Sequence, residues 1–382
     1  MSLRVAMLGW YPLEPNRIAG GPEAVIVQLV RGLLRQGDVD LHMVICDSRV
    51  AEDFVERRDG LTLHGLRLRP VPRWTLLRVN PRAVRRAVDR IQPDVVHGHG
   101  SGLFADAALH SGRPAVITLH GVIRREAEVF AQHGLSWRER VSWAYDLWYE
   151  RWLLAKAQHI IAISPYVEQV YRPLTQAVMH PIDNPVADEY FCLPNREEPG
   201  TVLCAARVMP RKNILNLIRA FALARQAVPH ARLRLAGETH SAPDYVAQCR
   251  RLATELGVAD AVEFLGWLDE AAVQAEYSRC SAVALVSWQE TAPIAVEQAM
   301  AAGKAVVASD VGGVADMLGH GQAGLLVQPD DVAGMAEALR QVLQDEALRR
   351  RLAAAGREIA RRRFQADAVA ARTREVYRQL AA

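Results

Sequence analysis

Two stretches of this 382-residue chain place charged side chains where a ligand could use them. In ARVMPRKN (206–213), Arg207 and Lys212 lie between an apolar run and a helical one. A guanidinium offers planar donors, an ammonium a point charge, and a helix start adds free N–H groups. Together they suit a diphosphate. A solvated basic loop is the alternative, although Lys212 is one of only three lysines, with Lys156 and Lys304, in an arginine-rich chain. In SWQETAPIAVEQAMAAG (287–303), Glu290 comes just before a helix with Pro293 near its start and Gly303 past its end. Thr291 is expected to cap that helix. A carboxylate beside helix-start N–H groups suits the hydroxyls of a sugar. The alternative is a plain interaction with the helix dipole, worth roughly a few tenths of a kcal/mol.

These residues need elements that bring strand ends together. Short β-rich runs alternate with amphipathic stretches along the whole chain. LRVAMLG, LHMVIC, VVHGH, AVITLHG and IIAIS read as strands, and PEAVIVQLVRGLLRQG as a helix with proline in its first turn and glycine at its end. The Arg82–Ile91 and Trp137–Ala157 segments also read as helical. The pattern restarts at TVLCAARV and continues through ARLRLAGE, VEFLGW, AVALVS, AVVAS and AGLLV. Strand–helix alternation implies parallel sheets in right-handed crossovers, hence an α/β fold of two doubly wound, Rossmann-like domains. The join falls near 187–200, a polar stretch carrying Pro194 and Pro199. The expected division is 1–188, 189–364, and a terminal helix, 365–382, packing back on the first domain. Ligands of such sheets bind beyond the strands' carboxyl ends, so the two domains are expected to face a central cleft.

Composition narrows the function classes. A net charge of +3 gives no reason to expect nucleic acid as a partner. Arg57 to Arg90 holds ten arginines against Asp59 and Asp89, which reads as a solvated basic surface or a patch for an anionic acceptor or lipid head group. The five cysteines (46, 192, 204, 249, 280) lack metal-ligand spacing and predict reduced, mostly buried thiols in the cytoplasm. No eighteen-residue apolar stretch occurs, so any membrane contact is expected to be peripheral, at the inner face. Trp137, Trp143, Trp148 and Trp152, beside Arg138, Arg140 and Arg151, mark an acceptor or membrane-facing surface, or buried helix packing. Buried packing is the expectation for most of them.

The order of ARVMPRKN, ARLRLAGE, VEFLGWLDE, SWQETAPIAVEQAMAAGKAVVASDVGGVAD and GHGQAGLLVQPDD resembles the donor domain of retaining glycosyltransferases with the GT-B fold, of the large GT4-type family. In the first half, IAGGPEAVIVQLVRGLLRQG, PDVVHGHG and AVITLHG agree more loosely. The resemblance implies that Arg207 and Lys212 take the donor diphosphate and that His120 lies near the donor sugar. His97 and His99 could claim that role without the motif. It further implies close-approach glycines at Gly20 and Gly21, a base resting near Trp267 and Leu268, and donor contacts from Gly237 and from Glu290 through Thr291, Ala292, Pro293 and Ile294. The catalytic set is then His120, Glu290, Arg207 and Lys212, with no metal and no cofactor beyond the nucleotide-sugar co-substrate. No Asp-x-Asp metal triplet is expected.

The family's second acid contacts the ribose and follows the first with seven residues between them. Eight on from Glu290 is Gln298; five back from Gly303 is again Gln298. Glu297 is therefore out of register, and an amide replaces the second carboxylate, at a cost to donor affinity on the order of 1 kcal/mol. The implied activity is retaining transfer of a hexose from a UDP-, GDP- or ADP-sugar to a hydroxyl of a glycan, a lipid-linked sugar or a small molecule. A nucleotide-sugar epimerase and a degenerate nucleotide-sugar binding protein are the alternatives.

Overall fold

In the computed structural model, the residues described are 2–14, 17–18, 20–70, 73–132, 134 and 136–382, with backbone alone at 73–78 and 132. The chain divides into two compact units: Met1–Pro185 together with Ala366–Ala382, and Val186–Gln365.

In the first unit, β1 (Leu3–Leu8), β2 (Val39–Asp47), β3 (Phe54–Arg58), β4 (Leu61–Arg67), β5 (Val95–His99), β6 (Ala115–Leu119), β7 (His159–Ala162) and β8 (Val178–Pro181) form one sheet. Its order is β3-β4-β2-β1-β5-β6-β7-β8. All neighbours are parallel except β3 and β4, a departure from the uniformly parallel expectation. The cause is local. Asp59 and Gly60 join the two strands with φ of 50° and 85°, and a two-residue turn with both φ positive matches the twist of a hairpin.

The helix Gly21–Gln36 has Pro22 in its first turn and ends on Gly37 at φ 74°, whose N–H donates to the Leu34 carbonyl. Ile26, Leu29, Val30 and Leu33 from its inner face share one core with Val5, Met7, Leu41 and Met43. The terminal helix Ala366–Ala381 adds Val369, Ala370, Val376 and Tyr377 to that core. It lies so close to Gly32 that a Cβ there would stand 2.8 Å from the Ala366 carbonyl oxygen. Arg35–Asp367 and the Arg374 and Arg378 contacts to Asp38 fix its ends.

The helix Arg73–Ile91 begins well before the expected Arg82. Of the basic stretch, Arg57, Arg67, Arg69, Arg82, Arg86 and Arg90 are exposed and Arg58 and Arg85 half-buried; the side chains of Arg73 and Arg78 lie outside the described residues. The expected burial of the tryptophans on the helix Trp137–Leu154 is incorrect. Trp137 and Trp148 are 70% and 55% exposed, and Trp143 and Trp152 are half-buried. Tyr149, Glu150, Leu153 and Leu154 are the residues this helix buries. The tryptophans recur on its outer side because the buried stripe is confined to its last turns. Among the described residues no helix is long and apolar enough to cross a membrane.

In the second unit, β9 (Thr201–Ala205), β10 (Arg232–Ala236), β11 (Val262–Gly266), β12 (Ala282–Leu285), β13 (Ala305–Ser309) and β14 (Leu325–Val327) form a parallel sheet ordered β11-β10-β9-β12-β13-β14. Apolar cores cover both faces, one around Ile214, Leu217, Phe221 and Leu235, the other around Tyr277, Val283, Met300 and Phe364. Lys304 is buried inside this unit and donates to Asn195 Oδ1 and to the carbonyls of Ser278 and Cys280, so its role is structural. The strand order reverses direction between β9 and β12. Loops leaving those two strands diverge and leave a crevice at their carboxyl ends. In the first unit the same reversal falls between β1 and β5.

Candidate functional site

The β9 and β12 loops of the second unit carry the predicted diphosphate and sugar residues, and they are bonded to each other. After β9 the chain makes a single tight turn, Pro210–Lys212, and Asn213 enters the left-handed region at φ 56° before the helix Ile214–Ala227. The buried Asn213 side chain donates to the carbonyls of Val286 and Pro329, at 3.0 and 2.6 Å. Trp288 N–H donates to the Arg211 carbonyl, and the Arg211 guanidinium donates to the Gln289 carbonyl at 2.9 Å. These bonds fix the height of Lys212 against Glu290.

Lys212 Nζ stands 2.5 Å from Glu290 Oε1, and Arg211 Nη1 lies 3.6 Å from Glu290 Oε2. Glu290 is buried. Burial alone would raise its carboxyl pKa, but Lys212 and Arg211 outweigh it and bring the group below its ordinary value. Burial pulls the Lys212 ammonium down while Glu290 opposes that. The pair is charged, and an ammonium has three donors, so Lys212 can hold Glu290 and a phosphate oxygen at once. Arg211 is a member of this site that the sequence reading passed over. Its only signal was its place inside MPRKN.

Arg207 differs. It is exposed, and among the described residues no carboxylate pairs with it. Its position is set by Gly237: a Cβ there would lie 1.9 Å from the Ala206 carbonyl oxygen and 2.8 Å from the Arg207 nitrogen. Gly237 N–H donates to the Gly266 carbonyl, and Val208 N–H to the Glu238 carbonyl. The glycine therefore admits the backbone that carries Arg207. Gly266, at φ 71°, turns the chain so that Trp267 is 45% exposed while Leu268 packs on the core.

The helix Ile294–Ala301 has Pro293, not the expected Thr291, at its cap position, and Pro293 supplies no side-chain cap. Thr291 and Pro293 are buried; Ala292, Ile294 and Gln298 keep partial exposure. Glu297 is 0% exposed, with no surface to offer a ligand. Tyr277 Oη donates to the Ala295 carbonyl at 2.9 Å and lies 3.3 Å from Gln298 Oε1.

In the first unit, Gly20 precedes the helix Gly21–Gln36 in fully extended backbone, with its carbonyl accepting from Ala24 N–H. His120 follows β6. Its Nε2 lies 2.9 Å from Nδ1 of His99, at the end of β5. His97 stacks on His99 with ring centroids 4.2 Å apart and bonds to Thr118 Oγ1 and Tyr377 Oη. The three histidines that competed in the sequence thus form one cluster. Burial holds His97 at about 3 and His120 at about 4, and His99 well below its ordinary value, so all are neutral at physiological pH. Trp10, after β1, stands edge-on to His120 at 6.5 Å and is 44% exposed. Its signal in the sequence was only its place directly after a strand.

One expectation needs correction. Asp38-Val39-Asp40 does spell an Asp-x-Asp triplet. It opens β2, where Arg374 and Arg378 hold Asp38 and Arg4 holds Asp40. Among the described residues no group of three His, Cys, Asp or Glu is placed to hold a metal ion.

Two Rossmann-like units, with a cationic strand-end site built from the β9 and β12 loops, define a protein of the GT-B class. The model for "Glycosyltransferase Family 4" matches residues 19–190, and that for "Glycosyl transferases group 1" matches 189–359. Together the two glycosyltransferase models span residues 19–359, and the chain is a glycosyltransferase. It is 29% identical to a D-inositol 3-phosphate glycosyltransferase of Nocardioides sp., over 98% of this chain and 90% of that protein. An uncharacterised glycosyltransferase of Bacillus subtilis is 26% identical over 69% of this chain and 72% of its own length. Among solved structures, sucrose-phosphate synthase from Thermosynechococcus elongatus superposes with a TM-score of 0.83 at 23% identity, covering 99% of each chain. Anabaena HepE in complex with UDP-glucose superposes at 0.76 and 19% identity, covering 99% of this chain and 100% of its own.

Proposed function

We propose that this glycosyltransferase moves a hexose from a nucleotide diphosphate sugar to a hydroxyl acceptor with retention at the anomeric carbon. The observation that supports the reading is the Lys212–Glu290 ion pair, which ties the β9 and β12 loops together, with exposed Arg207 on the first of those loops. As the bond from the anomeric carbon to the β-phosphate oxygen breaks, charge builds on the leaving phosphate. Lys212, already held by Glu290, and the exposed Arg207 meet it with positive charge. The acceptor oxygen bonds to the same face of the sugar, and its proton passes to the leaving phosphate. In this scheme the two cations supply the charge that a metal supplies elsewhere. Glu290 orients Lys212 and accepts from sugar hydroxyls. Gln298 serves the ribose, Trp267 and Leu268 flank the base, and the Gly20–Gly21 backbone and His120 are assigned to the donor sugar.

The relatives' names support nucleotide-sugar chemistry, with UDP-glucose bound in HepE. We assign the acceptor to the first unit and take it to be a glycan, a lipid-linked sugar or a small molecule. The exposed face of the helix Trp137–Leu154, with Trp137, Val141, Trp148 and the exposed Arg138, Arg140 and Arg151, fits peripheral contact with a membrane from the cytoplasmic side. Co-sedimentation with anionic vesicles, lost in Trp137→Ala/Trp148→Ala, checks that contact; no sedimentation of the wild type rules it out. Incubation with UDP-, GDP- and ADP-hexoses tests the reaction itself. Nucleoside diphosphate release with an α-linked product supports it, and binding without turnover across acceptors favours a binding protein.

A further inference from the structure

We propose that His99 is a positioning residue that sets the tautomer of His120, so that His120 presents Nδ1–H to its ligand. This rests on the assignment of His120 to the donor sugar. His99 Nδ1 and His120 Nε2 are 2.9 Å apart, with rings 14° from parallel. Both imidazoles are neutral, so one of these two nitrogens carries the shared hydrogen and the other a lone pair.

The far nitrogen of His99 decides which. His99 is 1% exposed, and its Nε2 is buried with no hydrogen-bond partner among the described residues. Were the proton on Nε2, a buried N–H would be orphaned, which folded proteins avoid more strictly than an unfilled acceptor. The proton therefore sits on His99 Nδ1 and is donated to His120 Nε2. His120 must then be protonated at Nδ1, for which the described residues provide no partner. His97, held by Thr118 Oγ1 and Tyr377 Oη, packs on His99 and keeps the ring from turning. The proton order thus runs from the buried cluster to the outer ring.

Long-range proton–nitrogen correlation spectra of the ¹⁵N-histidine-labelled full chain at pH 7.5 read the tautomers directly. A pyrrole-like Nδ1 and pyridine-like Nε2 on His120 are expected. The reverse pattern overturns the proposal whether or not the enzyme turns over, whereas the expected pattern in a protein that transfers no sugar overturns only the functional reading. In variants, His99→Leu should mix the His120 tautomers and lower kcat about tenfold with KM little changed, as for a lost transition-state hydrogen bond. His99→Asn, which keeps an N–H donor, should recover most of that loss. Equal loss in folded Leu and Asn variants counts against the tautomer role.

Discussion

Lys212 Nζ and Glu290 Oε1, 2.5 Å apart, join two loops that are 78 residues apart in sequence. Both side chains are largely buried, so removing one partner leaves an uncompensated charge, at about 3 kcal/mol of stability. Lys212→Ala and Glu290→Ala should each lower the melting temperature and remove most turnover, while Lys212→Met/Glu290→Leu should recover stability without activity. Melting curves with single-turnover assays check this. Recovered activity in the double variant would mean that the pair is only a structural tie.

Gly237→Ala forces a Cβ into the Ala206–Arg207 backbone, where it would stand 1.9 Å from a carbonyl oxygen. The turn must move, at about 2 kcal/mol, and Arg207 moves with it. Donor Kd should rise about tenfold even at temperatures where the variant is fully folded. An unchanged Kd would detach Gly237 from the donor site.

Glu297 and Gln298 separate cleanly by measurement. Gln298→Glu adds a charge-assisted acceptor on the half-exposed side of the helix and should strengthen ribose binding by about 1 kcal/mol, roughly fivefold in Kd. Glu297→Ala empties a fully buried position and should appear in the melting temperature, with donor Kd at saturating folded protein unchanged. Calorimetric titration of both variants decides; the opposite pattern would reverse the register.

Much of this site was legible from spacing. The strand ends lie in local sequence, because strand and helix periods fix which residues reach a strand's carboxyl edge, whereas the Glu290 to Gln298 interval and Gly237 were implied only by the family resemblance. The partnerships were not. Arg211 reaches Glu290 only because the β9 and β12 strands are neighbours, and His99 meets His120 only because β5 pairs with β6. The antiparallel β3–β4 hairpin was missed although Asp59-Gly60 announces it, since strand–helix alternation says nothing of edge additions. The tryptophans were misjudged because a helix that buries only its last turns has no clear apolar period.

Acid should destabilise the first unit. The folded values of His97 and His120 lie at about 3 and 4, both below the 6.5 of an unfolded histidine. Their stabilisation is present above about pH 6.5 and is lost as pH falls toward 4, each adding up to about 1.4 kcal/mol per pH unit when fully buried. Glu150, raised to about 7 mainly by burial, acts in the opposite sense: it favours the fold below about 4.5 and loses that contribution as pH rises through 7. Urea midpoints from pH 7.5 to 4.5 should fall with acidification. A flat or rising series would contradict neutral buried histidines.

Arg207 offers the most direct measurement, because it is exposed, unpaired among the described residues, and free to be removed with little effect on folding. Wild type and Arg207→Ala should be titrated calorimetrically with UDP-, GDP- and ADP-hexoses and with the matching nucleoside monophosphates. The expected result is saturable binding of one diphosphate sugar by the wild type, at least tenfold weaker in Arg207→Ala, with equal monophosphate affinity and equal melting temperatures. Undiminished diphosphate-sugar affinity in Arg207→Ala, or no binding of any of the three by the wild type, would contradict a donor diphosphate site at the β9 and β12 loops.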